Sequence, residues 1–100
     1  MHSDQRYNTH MKVLKIGAVW CADCIVMKPR WKKIEDKNSW LETEYYEYDD
    51  SEEIIKKYDL ENDEIPVFIF LDKKGEEIER LVGEFSEKEL LDKIGEHKNK

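Results

Sequence analysis

A chain of 100 residues has room for one domain around one core, which excludes multi-domain architectures. Its 17 Lys and Arg against 24 Asp and Glu leave a formal net charge of −7, so phosphate backbones and anionic lipid are disfavoured and no nucleic acid is expected as a partner. Charged residues at 41% and a mean hydropathy of −0.87 lean toward disorder, but 11% aromatic residues and several clustered apolar runs supply a core.

The first eleven residues, Met1 to Met11, show no sustained apolar period and read as a flexible tail, with the domain expected over 12–97 and a frayed end at 98–100. That opening also lacks the apolar stretch that export requires, and no run approaches the roughly 20 apolar residues of a membrane span, so a cytoplasmic monomer with no membrane partner is expected. Val13 to Trp20 is β-branched and mostly apolar on both parities, as in a central strand covered on both faces. Cys24, Met27, Trp31 and Ile34 then recur at steps of three, four and three, one buried helix face that runs out near Asn38-Ser39. Pro29 lies inside this helix and is expected to kink it.

Tyr45 to Asp49 reads as an aromatic-rich strand, and Asp50 with Glu53 as a capping box opening a short helix through Tyr58. After a polar connector, Asp59 to Glu64, the run Ile65 to Leu71 is the most hydrophobic in the chain and reads as a buried strand. Asp72 to Gly75 is a turn, and Glu76 to Val82 returns as the hairpin partner. Ser86 and Glu89 form a second capping box, opening a last helix with Leu90, Leu91 and Ile94 inward. The order strand, helix, strand, helix, strand, strand, helix makes an α/β fold: a βαβ unit joined to a hairpin in a mixed four-stranded sheet, with helices on both faces.

The chemistry-bearing segment is Trp20-Cys21-Ala22-Asp23-Cys24, placed where a strand ends and a helix begins. A bond between cysteines three positions apart closes too small a loop to serve as a staple, so the spacing belongs to a redox pair or to half of a zinc site. Zinc needs four ligands, and the other candidates, His2, His10 and His97, fall near the chain ends and are expected to be exposed; no metal and no organic cofactor is expected. Cys21 faces the positive end of the helix dipole, which favours its thiolate and makes it the attacking sulfur. Cys24, one turn deeper, is more shielded and resolves the mixed disulfide. Trp31 and Trp40 are read as packing residues.

These residues resemble those of the thioredoxin family. Trp20-Cys21-x-x-Cys24 is similar to the family's Trp-Cys-Gly-Pro-Cys, Pro29 to its kinking proline, Ile65-Pro66 to its Ile-cisPro dipeptide and Val82-Gly83 to the segment before its last helix. The resemblance implies the thioredoxin fold and a thiol–disulfide oxidoreductase of the protein disulfide reductase type. Trp20, Ala22, Ile65, Pro66 and Gly83 would form an apolar surface for disulfide-containing client proteins, and an external reductase or small thiol would supply electrons.

The chain departs from the family pattern at four places. Ala22-Asp23 stands between the cysteines, and the Asp23 charge opposes thiolate formation. Lys15 stands where the family has a buried aspartate; it either snorkels to the sheet edge or lies under the site and tunes a cysteine. The lysine that pairs with that aspartate is replaced, with Tyr46 the nearest match. About twenty residues precede Cys21, so a core trimmed as in glutaredoxins is expected. Two other readings stand beside the reductase: a noncatalytic thioredoxin-fold binding or redox-sensing module, and a glutathione-dependent glutaredoxin-like enzyme, which Trp20 before the first cysteine disfavours.

Overall fold

The computed structural model describes residues 10–62 and 64–100. Four strands and three helices alternate in the expected order: β1 (Lys12–Gly17), α1 (Ala22–Lys37), β2 (Glu42–Glu47), α2 (Glu52–Lys57), β3 (Val67–Leu71), β4 (Glu77–Val82) and α3 (Glu87–His97). The sheet runs β2-β1-β3-β4, with β1 parallel to β2 and antiparallel to β3, and β3 antiparallel to β4. A parallel neighbour needs a crossover, which α1 supplies, whereas the β3–β4 pair needs only the turn at Gly75, whose φ of +89° suits a residue without Cβ.

The two apolar parities of β1 and β3 account for the layering. Val13, Phe68 and Phe70 point to one face, where they pack with Met27, Trp31 and Ile34 of α1 and Leu90 and Ile94 of α3. Leu14, Ile16, Val67, Ile69 and Leu71 point to the other, under Ile54 and Ile55 of α2. Each such side chain removed from water contributes about 1.5–3 kcal/mol, so the two central strands anchor the fold from both sides. The buried face of α1 is Cys24, Met27, Trp31 and Ile34, the stripe read from the sequence. Pro29 sits within α1 and presents to the exposed side.

Several expectations are corrected. The core begins before Lys12: Met11 is fully buried and its N–H donates to the Lys98 carbonyl, while His10 stacks edge-on against Trp40 at 5.1 Å. The remainder of the expected tail, residues 1–9, lies outside the described residues. The chain end is tied down as well, because the Lys100 carbonyl accepts from Lys73 N–H. β2 starts at Glu42, three residues before the aromatic run, because its backbone pairs with β1 whatever its side chains are. Asp50 closes a short 3-10 turn, Tyr48–Asp50, so the residue capping α2 is Ser51 and the Asp50–Glu53 box does not form. The box at Ser86 and Glu89 forms in full. In the polar connector, Leu60 is buried under the α2 face. His97, expected at the surface, is 5% exposed: α3 runs far enough to lay its ring on Phe70 and its Nε2 against Glu79 Oε1 at 2.6 Å.

Candidate active site

Cys21 is the N-cap of α1, with φ −94° and ψ 118°. Its own N–H donates to the Ala18 carbonyl at 3.1 Å, and its Sγ accepts the Cys24 N–H at 3.2 Å, one of the amides that a helix start leaves unpaired. Cys24 follows one turn deeper on the same face, and both are free thiols, 9% and 6% exposed. Burial pushes the Cys24 thiol up to about 12, the Cys21 sulfur adds to this, and the Asp23 charge acts in the same direction, against an opposing hydrogen bond from the Ala18 backbone. Asp23 itself is exposed. The arrangement keeps Cys24 protonated while Cys21 accepts a hydrogen bond at its sulfur.

The strand opposite supplies the other wall. The Ile65–Pro66 peptide bond is cis, and the Ile65 carbonyl lies 3.7 Å from Cys21 Sγ, which donates to it. The Pro66 carbonyl accepts the Gly83 N–H at 2.8 Å. Gly83 takes φ +103°, a conformation that side chains resist, so this tie favours glycine. Pro66 is fully buried, so it backs the surface beside Cys21 and does not form part of it; Ile65 and Gly83 are half-buried and Ala22 is exposed. Trp20, 63% exposed, is fixed by its indole N–H donating to Asp49 Oδ2 at 2.9 Å, and Val19 beside it is 71% exposed.

Behind Cys24 lies an open cavity of about 550 Å³, lined by Lys15, Gly17, Trp31, Glu35 and Tyr45 among others. Lys15 shares this cavity with Cys24, but its ammonium is held by Glu35 Oε2, which also accepts from the Thr43 hydroxyl at 2.9 Å, and lies 5.6 Å over the Trp31 ring. The β1–β2 register sets Tyr45 beside Lys15, so Tyr45 and not Tyr46 is its neighbour on that face; Tyr46 pairs with Ile16 and donates to Glu44. Burial and a hydrogen bond to Glu47 push the Tyr45 phenol up to about 12, with the two cysteine sulfurs adding to the shift. Glu35, Tyr45 and Glu47 went unnoticed in the sequence. Glu35 had a signal, since Cys24, Lys28, Trp31 and Glu35 follow one another at helical steps of four, three and four.

His97 is remote from the cysteines, at the far end of α3. Its ligand atom gathers with those of Glu79 and Glu96 within 4.8 Å, but the Lys93 ammonium already sits 2.9 Å from Glu79 and 3.7 Å from Glu96 and supplies the positive charge there.

A family model described as thioredoxin matches residues 2–88. The chain belongs to the thioredoxin family. It is 35% identical over 86 residues to thioredoxin H7 of Arabidopsis thaliana, across 86% of this chain but only 64% of that protein's length. Among solved structures it resembles thioredoxin NaTrxh of Nicotiana alata, with a TM-score of 0.82 and 26% identity over 93% of this chain and 77% of that one. The Fasciola hepatica thioredoxin is equally similar, at TM-score 0.82 and 26% identity over 94% of this chain and 86% of that one. Among the described residues, no helix is long and apolar enough to cross a membrane.

Proposed function

We propose that this thioredoxin-family chain reduces or exchanges protein disulfides through its Cys21–Cys24 dithiol. The observation that carries the reading is the contrast between the two sulfurs: Cys21 Sγ accepts a helix-start amide at 3.2 Å, whereas burial holds Cys24 as a thiol. The Cys21 thiolate attacks one sulfur of a client disulfide, forming a Cys21–client bond and releasing the other client sulfur as a thiolate that takes a proton from water. Cys24 then loses its proton and attacks Cys21 Sγ. The intramolecular disulfide forms, the second client thiolate leaves, and two electrons have passed from the protein to the client. An external reductase or a small thiol returns them.

Clients dock over Trp20, Ala22, Ile65 and Gly83, with buried Pro66 holding the Ile65 backbone beside Cys21. A weak, sequence-tolerant contact of this kind suits a monomer acting on many proteins, and two cysteines without a long-loop disulfide suit a reducing compartment such as the cytoplasm. Asp23 tunes the pair through its charge on Cys24. Insulin reduction driven by dithiothreitol tests the reading. The parent is expected to accelerate precipitation over reductant alone and Cys21→Ser to abolish the gain. A parent rate equal to that of dithiothreitol alone would contradict it and leave the noncatalytic binding module.

A further inference from the structure

Resolution requires Cys24, buried and held as a thiol, to give up its proton at the moment of attack. The ionisable groups around it differ in their fitness to receive that proton. Lys15, from β1, is occupied by Glu35 of α1. Asp23, also on α1, is turned to solvent. Tyr45, from β2, is different. A Cβ built on Gly17 would lie 3.1 Å from Cys24 Sγ and 3.3 Å from the Tyr45 phenol oxygen, so the missing side chain of Gly17 leaves the sulfur and the phenol facing one gap.

The Tyr45 hydroxyl donates to Glu47 Oε1 at 2.9 Å, two residues on and on the same face of β2. The other Glu47 oxygen accepts the Val19 N–H at 3.0 Å, on a segment exposed to water. On the α1 side, the Lys28 ammonium lies 5.7 Å over the Tyr45 ring and helps hold it in place. The line thus runs from a buried sulfur, through the hydroxyl of Tyr45, a residue 43% exposed, to a half-buried carboxylate beside the exposed Val19.

We infer that Tyr45 and Glu47 form the relay that takes the Cys24 proton to solvent during resolution. The inference rests on the dithiol exchange proposed above. As Cys24 Sγ bonds to Cys21 Sγ and the Cys21–client bond breaks, the Cys24 proton passes across the gap over Gly17 to the Tyr45 oxygen. The phenol's own proton moves to Glu47, which releases it to water. Tyr45 ends neutral, and the net change is one proton delivered to solvent beside the departing client thiolate.

Single-turnover reaction with Ellman's reagent separates the steps, since the first thionitrobenzoate released reports attack by Cys21 and the second reports attack by Cys24. Followed across pH 6 to 9, Tyr45→Phe and Glu47→Gln should each slow the second release about tenfold or more at neutral pH, leave the first unchanged, and give no further loss when combined. Second-phase rates equal to the parent's in both variants would overturn the relay. Equal slowing of both phases would also overturn it, by assigning Tyr45 to the shape of the site. A parent with no second phase would overturn the dithiol reading itself and the relay with it.

Discussion

Both cysteines are buried, and they differ in place: Cys21 caps α1 and Cys24 lies one turn deeper. Cys24 lies under α1 with its thiol pushed up by burial, by the Cys21 sulfur and, least of these, by the Asp23 charge. Asp23→Asn should therefore bring the Cys24 thiol back toward its ordinary value. Because the carboxylate is solvated, the gain in Cys24 alkylation rate at alkaline pH should stay below about fivefold; a larger gain would make Asp23 the dominant control. Lys15→Met tests the opposite wall. With its ammonium held by Glu35, the substitution should lower stability by about 1–2 kcal/mol in urea unfolding, since the half-buried carboxylate loses a charged donor, and leave the disulfide-exchange pH profile unchanged. A shifted profile would give Lys15 the tuning role. The cysteine pair at the start of α1 and the cis bond before Pro66 were legible because the family motifs mark single positions. Tyr45 was not, since its place beside Lys15 depends on a β1–β2 register that local sequence does not state.

At the scale of elements, α3 is fastened to β4 by a small polar cluster. The bond to His97 and the ion pair to Lys93 hold the Glu79 carboxyl below its ordinary 4.5. A carboxylate depressed by folding stabilises the native state above its unfolded value, and that contribution is lost as pH falls through the lower folded value. Thermal unfolding from neutral pH down through 4.5 should therefore show the parent losing stability more steeply than Glu79→Gln, and the variant should be about 1–2 kcal/mol weaker at pH 7. Parallel curves would show that Glu79 does not contribute to acid sensitivity. None of this was legible: His97 reads as a polar residue near a chain end, and only the length of α3 carries it onto Phe70. The helix caps make the same point. Ser86 caps as its spacing suggests, whereas Asp50 is taken up by the turn before α2.

Across the whole molecule, the element order read from periodicity is the one that forms, because strands apolar on both parities must be central and a parallel pair needs a crossover helix. Met11 was misplaced, since it is a lone apolar residue without a period yet fills the core beside α3. The sheet holds Ile65 against Cys21, and α1 holds Cys24 behind it, so fold and proposed chemistry meet at one sulfur. That meeting is tested most directly by trapping. Cys24→Ser mixed with an excess of a disulfide-bonded client should accumulate a one-to-one covalent adduct, with peptide mapping placing the link at Cys21, while Cys21→Ser gives none. Adducts through Cys24 alone, or no adduct with either variant, would contradict the account.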